Sequence, residues 1–190
     1  MFVKRAREGG FRSRALFKLE DIQRTDRLLK PGMTIVDLGA APGGWSQYAA
    51  KLLKGQGRVV ALDILPMDAI TGVEFIQGDF TTDEVLEQLT SLLGADRPQV
   101  VMSDMAPNTT GIATVDQDRS MHLAELALDF ATRTLAPGGD FLVKVFQGRD
   151  FQAFVRQLRG LFETVKTRKP PASRQRSAEL YLLARTFNSG

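Results

Sequence analysis

Lys144 stands inside the apolar run Phe141-Leu142-Val143-Lys144-Val145-Phe146, where an ammonium group is costly unless a carboxylate accompanies it. Asp104 follows a second apolar run, Val100-Val101-Met102-Ser103, and becomes the natural partner if the two runs lie side by side. Glu179 opens a third apolar run, and Lys18 sits in an amphipathic stretch near the N-terminus. Amines and carboxylates gathered this way can hold, orient and accept protons, the equipment of general acid–base chemistry. The simpler alternatives are that Lys144 reaches from a strand end into water and that Lys18 is a solvated surface charge.

A second constellation surrounds the sequence Asp37-Leu38-Gly39-Ala40-Ala41-Pro42-Gly43-Gly44-Trp45. Asp37 closes an apolar run, and Gly39, Gly43 and Gly44 let the backbone turn sharply toward a ligand before a helix begins near Trp45. Asp63 ends the next apolar run, where a carboxylate can accept from both hydroxyls of a ribose. Asp79, in Gln77-Gly78-Asp79-Phe80, ends the one after and could accept from an exocyclic adenine amine. Each of these acids could instead cap the helix that follows it. Carboxylates around a pocket suit a cationic sulfonium better than a pyrophosphate, by charge alone. The Gly-Lys-Ser or Gly-Lys-Thr of a P-loop is missing after the turn.

The elements that must position these groups follow from pattern. Thr34–Leu38, Arg58–Leu62, Val73–Gln77, Gln99–Ser103, Asp140–Val145, Thr164–Arg168 and Leu180–Ala184 are short, β-branched and ended by Asp, Gly or Pro, which predicts seven strands. Three- and four-residue apolar spacing predicts helices over Ser13–Arg27, Trp45–Leu53, Asp83–Leu93, Arg119–Leu135 and Phe151–Leu161. Alternation of this kind, with strands apolar on both faces, specifies an α/β Rossmann-like fold: a seven-stranded, mostly parallel sheet with helices on both faces. The last two strands are joined only by Pro170–Ala178, too short for a crossover helix, so the final strand should run antiparallel. A single domain over 1–190 is expected, since no linker, repeat or low-complexity tract interrupts it.

Composition narrows the chemistry further. The chain has no Cys and one His, which rules out disulfides and thiolate or multi-histidine metal centres, and no metal is expected. Nothing approaches the roughly 18 consecutive apolar residues of a membrane span, and the basic N-terminus lacks a signal-type apolar region, so a cytoplasmic monomer without membrane contact is expected. The net charge of +3 hides an uneven distribution. Segment 1–18 holds Lys4, Arg5, Arg7, Arg12, Arg14 and Lys18 against Glu8 alone, and a second basic cluster centres on the loop 166–176, with Arg156 and Arg159 just upstream. An acidic body flanked by two basic segments points to a polyanion partner. Arg12, Arg14, Lys169, Arg174 and Arg176 are the candidate phosphate contacts for a splayed, single-stranded nucleotide.

Phe11-Arg12-Ser13-Arg14-Ala15-Leu16-Phe17-Lys18-Leu19, Asp37–Tyr48, Ser103–Asn108, Val143–Gly148 and Ser173–Tyr181 together resemble the bacterial FtsJ (RrmJ, RlmE) methyltransferases, in order and over essentially the whole chain. The resemblance implies S-adenosylmethionine as methyl donor, contacted by Gly43, Trp45, Asp63, Asp79 and Asp104, with Asp37 and Gly39 belonging to the same turn. It implies that Lys18, Asp104, Lys144 and Glu179 match a Lys-Asp-Lys-Glu catalytic tetrad. It further implies 2′-O-methylation of a uridine ribose in the A-loop of large-subunit ribosomal RNA, within the assembled subunit. Family members usually carry a further basic and aromatic segment ahead of the point matching Phe2-Val3, so RNA contacts from such a segment fall outside the expectation. Neutral Lys144 is the expected base, with desolvation and the charge of Lys18 favouring proton loss and Asp104 and Glu179 opposing it. A nicotinamide-dependent oxidoreductase shares the fold but would offer a fuller glycine fingerprint and a proton relay, whereas His122 reads as surface or filler. An RNA-binding assembly factor without chemistry would not need a lysine in a buried strand.

Overall fold

The computed structural model describes residues 2–174 and 177–190. Along the chain run α1 (Phe2–Glu8), α2 (Leu16–Asp26), β1 (Thr34–Leu38), α3 (Gly44–Leu53), β2 (Arg58–Asp63), β3 (Val73–Gln77) and α4 (Asp83–Leu93). They are followed by β4 (Val100–Ser103), α5 (Ala113–Thr134), β5 (Asp140–Phe146), α6 (Phe151–Leu161), β6 (Phe162–Arg168) and β7 (Glu179–Phe187). The strands form one seven-stranded sheet in the order β3-β2-β1-β4-β5-β7-β6. The first five are parallel, and β7 is antiparallel to both of its neighbours. The chain winds outward from β1 to β3 and then returns to the other side of β1 with β4. That reversal opens a crevice beyond the C-terminal ends of β1 and β4, the place where open α/β sheets take ligands.

Strand parity decides which face each side chain joins. Val36, Leu38, Val60, Leu62, Val101, Phe141, Val143 and Val145 pack under α4, α5 and α6. Ile35, Val59, Val100, Met102 and Leu142 pack against Leu19 and Ile22 of α2 and Trp45, Ala49 and Leu53 of α3. Asp37 follows Ile35 by two residues, and Lys144 follows Leu142 by two. Both therefore face α2 and α3, and both are buried.

Several details depart from expectation. β3 is an edge strand and only partly buried, because no strand covers its outer side. β7 lies between β5 and β6, so it pairs antiparallel with both and extends to Phe187. Helix α2 begins at Leu16, after a turn at Arg14–Ala15, and the chain ahead of it is tied to α3: the Arg12 N–H donates to Gln47 Oε1 at 3.1 Å, and Gln47 Nε2 donates to the Gly10 carbonyl at 3.2 Å. Helix α5 starts at Ala113, ahead of the expected Arg119, over polar residues that carry no apolar period. Its first turn is anchored by Asp116, which accepts from the Thr110 N–H at 2.7 Å and the Gly111 N–H at 3.3 Å. The short α1 was not expected; it buries Ala6 against Leu16, Phe17 and Ala172 and stacks Arg5 4.8 Å from the Phe17 ring. Among the described residues no helix is long and apolar enough to cross a membrane.

Candidate active site

Asp104 lies just past β4, its N–H donating to the Leu38 carbonyl at 3.3 Å and so extending the ladder by one bond. Lys144 on the adjacent β5 reaches it, Nζ to Oδ1 3.2 Å. The antiparallel register sets Tyr181 opposite Lys144 and Glu179 opposite Phe146, so Tyr181 and Glu179, two residues apart, share the face of Lys144. Glu179 Oε2 lies 3.8 Å from Lys144 Nζ, while its Oε1 accepts from Lys18 Nζ of α2 at 2.7 Å. Two ammonium groups and two carboxylates thus interlock, all largely shielded from water, and the ionic cost of burial is met by mutual pairing. Burial pushes the Glu179 carboxyl up, but the Lys144 and Lys18 charges outweigh it and hold it below the usual carboxylate range.

Tyr181 completes the cluster and was not singled out as a site residue from sequence. Its hydroxyl donates to Asp104 Oδ1 at 2.5 Å and lies 3.5 Å from Glu179 Oε1. Burial, with the Asp104 and Glu179 charges beside it, pushes the phenol well above its ordinary value, so it remains a donor. The signal was available in the pairing arithmetic, since an antiparallel partner of Lys144 two residues from Glu179 must point the same way.

The crevice between β1 and β4 holds a cavity of about 940 Å³. Gly39, Asp63, Asp79 and Asp104 line it, with Leu62, Phe80 and Met105 supplying apolar walls. Gly39 adopts φ +77°, and a Cβ there would stand 2.6 Å from Met105 Cγ, so the turn tolerates no side chain. The carboxylates also organise the loops. Asp63 Oδ2 accepts from the Ala41 N–H and Oδ1 from the Leu65 N–H, each at 2.9 Å. Asp79 Oδ1 accepts from the Thr81 N–H at 2.9 Å and the Thr81 hydroxyl at 2.7 Å, which draws its carboxyl below the usual range. Neither caps a helix; Thr82 does that for α4.

Three residues of the turn sit behind the cavity rather than on its wall. Asp37 is fully buried beneath α3, accepting from the Ser46 hydroxyl at 2.6 Å. Trp45 is buried too, its indole N–H donating to the Ala15 carbonyl at 2.7 Å and its ring packed 5.7 Å from that of Tyr181. Gly43 packs against Met67 and Ile70 of the β2–β3 connection. Their side of the turn braces the cavity, and any ligand contact from Gly43 or Trp45 would come from the backbone. Arg119 and His122 of α5 stand on the opposite wall, which the sequence reading did not foresee.

A smaller, polar cavity of about 290 Å³ opens beside the cluster, lined by Arg14, Lys18, Ala172, Arg174, Ser177 and Glu179. The two basic segments therefore meet in space, and they meet over Lys18 and Glu179. Lys169 holds this loop closed, its Nζ donating to the Ser177 carbonyl at 2.8 Å and to the Glu179 carbonyl. Arg12 likewise spends its guanidinium on backbone carbonyls, of Asp68 at 2.6 Å and Ala69 at 2.8 Å. Of the five expected phosphate contacts, Arg14 and Arg174 line the polar cavity, Lys169 and Arg12 are engaged with backbone, and Arg176 lies outside the described residues.

Asp104 lines the large cavity, Glu179 and Lys18 line the small one, and Lys144 contacts both carboxylates. The paired cluster is the partition between two pockets, one acidic and one basic. A family model described as FtsJ-like methyltransferase matches residues 11–187. A Dichelobacter nodosus protein named ribosomal RNA large subunit methyltransferase E is 60% identical over 188 residues, 98% of this chain and 90% of that one. A crystal structure described as that of a ribosomal RNA methyltransferase from Plasmodium falciparum superposes with a TM-score of 0.85 at 29% identity, covering 93% of this chain and 98% of the other. The MycE methyltransferase of the mycinamycin pathway, solved with S-adenosylhomocysteine, shares the fold at a TM-score of 0.59 and 13% identity, over 93% of this chain and 48% of its own.

Proposed function

The chain belongs to the FtsJ-like methyltransferase family and uses S-adenosylmethionine as its methyl donor, and from that premise we propose that it methylates a ribose 2′-hydroxyl of large-subunit ribosomal RNA. The observation that carries the reading is the position of Lys144, bridged by Asp104 to the acidic cavity and by Glu179 to the basic one. The acidic cavity fits the donor: its four carboxylates, Asp63, Asp79, Asp104 and Asp118, outnumber the one guanidinium of Arg119 and suit a sulfonium cation, and its apolar walls suit an adenine. Asp63 would hold the donor's ribose hydroxyls and Asp79 its adenine amine, with Gly39, Gly43 and Trp45 giving the turn its shape. Bound there, the donor supplies an electrophilic methyl group.

The chain's own task is to align a 2′-oxygen and take its proton. Lys18 and Glu179, held together at 2.7 Å, form the floor of the acceptor pocket and orient the ribose. Lys144, once its ammonium has passed a proton to solvent, accepts the hydroxyl proton, and Asp104 and Glu179 stabilise the ammonium that re-forms. Tyr181 fixes Asp104 so that this cation is met by a preset charge. Tyr181→Phe is expected to lower kcat several-fold, in line with about 1 kcal/mol for a lost hydrogen bond, with S-adenosylhomocysteine affinity unchanged by calorimetry.

Arg14 and Arg174, exposed beside the acceptor pocket, would engage the phosphates flanking the splayed nucleotide. RNA affinity should then fall steeply with salt, and Arg14→Ala combined with Arg174→Ala should flatten the log–log slope by about 2. A slope unchanged in the double variant would remove these residues from the interface. The finer reading, a uridine of the A-loop modified in the assembled subunit by a cytoplasmic monomer, extends the family resemblance. One continuous sheet supports treating 1–190 as a single domain. The deciding experiment offers the enzyme intact large subunits, free ribosomal RNA and transfer RNA, and maps the modified nucleotide. Methylation of a single ribose in the subunit is the expected result; a base-methylated product or exclusive action on transfer RNA would overturn the proposal.

A further inference from the structure

We propose that Arg12 is a positioning residue for the methyl donor: it latches the β2–β3 connection over the donor cavity and ties that connection to the basic N-terminal segment. Residues 64–72 form neither helix nor strand. They carry Ile64 and Leu65, 63% and 60% exposed, which line the donor cavity. A connection of this kind closes over a ligand only if something fixes it, because an unpaired loop pays ordering entropy each time it binds. Asp63 secures its first residues through the Leu65 N–H and Gln77 Nε2 through the Ile64 carbonyl at 3.3 Å, while Arg12 takes the carbonyls of Asp68 and Ala69 in its middle.

The guanidinium donates to the carbonyls of Asp68 at 2.6 Å and Ala69 at 2.8 Å, and reaches the Pro42 carbonyl at 3.5 Å. Three carbonyls from the two loops that bound the cavity thus converge on one cation. Planar, multidentate donation of this sort is what arginine provides and lysine does not. Met67 and Ile70 are drawn onto Gly43, where a Cβ would meet Ile70 Cδ1 at 2.7 Å and Met67 Sδ at 3.0 Å, so the latched loop and the glycine turn are in close contact. Arg12 is itself set from behind by Gln47 of α3, whose side chain accepts from the Arg12 N–H and donates to the Gly10 carbonyl. Two residues further on, Arg14 faces the acceptor pocket.

Occupancy of the two pockets is therefore coupled through residues 10–14. RNA held at Arg14 steadies the segment that latches the donor loop, and the donor, by closing the loop, steadies the segment that receives RNA; the coupling is reciprocal by linkage. The inference rests on the donor cavity and not on which RNA is the acceptor.

The test measures S-adenosylhomocysteine affinity by calorimetry, donor KM and kcat, and RNA affinity against salt, for the wild type, Arg12→Lys and Arg12→Ala. Expected are an affinity loss of about tenfold in Arg12→Ala and a smaller loss in Arg12→Lys, as for a charge-assisted bond removed or weakened. Donor KM should rise in parallel while kcat stays within about twofold and the RNA salt slope stays unchanged. Hydrogen exchange in 64–72 should quicken in the variants and return to wild-type rates at saturating S-adenosylhomocysteine. An unchanged donor affinity together with a salt slope flattened by about 1 would overturn the proposal and make Arg12 a phosphate contact. Arg12→Lys keeps the charge and the packing stem, so it decides the question if Arg12→Ala melts below the assay temperature. Wild-type binding of S-adenosylhomocysteine in the same titration tests the cavity assignment separately.

Discussion

Lys144→Ala is expected to reduce methyl transfer by about 10³-fold or more while leaving S-adenosylhomocysteine affinity within a few-fold of wild type. The asymmetry follows from where the side chain sits. Lys144 Nζ is 3.2 Å from Asp104 and 3.8 Å from Glu179, at the partition between pockets, and it is not among the cavity-lining groups that would hold the donor. Removing it would deprive the acceptor hydroxyl of its proposed base, and would leave Asp104 with the Tyr181 hydroxyl and Glu179 with Lys18. Those remaining partners should keep the fold intact, with a fall in melting temperature of a few degrees. Lys144→Arg sharpens the reading, because a guanidinium retains the ion pairs but does not release a proton near neutral pH. Single-turnover methylation by both variants checks the assignment. Turnover retained by either with little loss would transfer the base role to another group.

Asp37→Asn should change how stability depends on pH. Asp37 is completely buried, and that burial, with the Asp104 and Asp63 charges adding to it against the Ser46 hydrogen bond, raises its carboxyl from the ordinary 3.8 to about 7. Between those values the folded protein keeps a proton that the unfolded chain has released, so raising the pH favours unfolding. Below 3.8 both states are protonated and the group contributes no slope; above about 7 both are ionised and the full cost of a buried charge is felt. That cost is on the order of 4 kcal/mol. An asparagine can still accept from Ser46 and never ionises, so the difference in unfolding free energy between variant and wild type should grow in favour of the variant as pH rises from 4 to 8. The measurement is a pair of urea unfolding series across that range. It must be read as a difference, since Asp26, Asp79 and Glu179 are held below their ordinary values and push the wild-type curve the other way, losing stability as pH falls. A constant difference across the range would mean that Asp37 is ionised throughout.

Much of the architecture could be written from local pattern. Strands and helices announce themselves by period, and four of the seven strand starts, Thr34, Arg58, Val73 and Asp140, agree to the residue, with Val100 one residue late and Glu179 one early. The missed elements are those without a period to read. α1 owes its packing to Ala6, Phe2 and Phe17, and the first turn of α5 to a polar anchor at Asp116, neither of which leaves an apolar stripe. Insertion of β7 between β5 and β6 is a pairing choice, and nothing in a strand's own residues states which edge it will join.

The functional residues divide along the same line. Lys144 was conspicuous because a charge within an apolar strand demands a partner, and strand-end acids at 63, 79 and 104 were legible because a parallel sheet presents its C-terminal ends together. Their sequence positions sufficed, since burial cost and strand polarity are local rules. The arginines could not be sorted in this way. Arg12 and Arg14 are two residues apart with the same side chain, yet one is bound to three backbone carbonyls of the loops beside the large acidic cavity and the other lines the small polar one. Trp45 and Tyr181 were likewise assigned to their places by packing across elements far apart in the chain. The sequence by itself determined that a row of strand-end carboxylates would line one crevice and that a buried lysine would pair with one of them. The tertiary structure decided which cations face solvent and which fasten loops, because a hydrogen-bond donor's partner is set by distance in space, and distance along the chain carries no record of it.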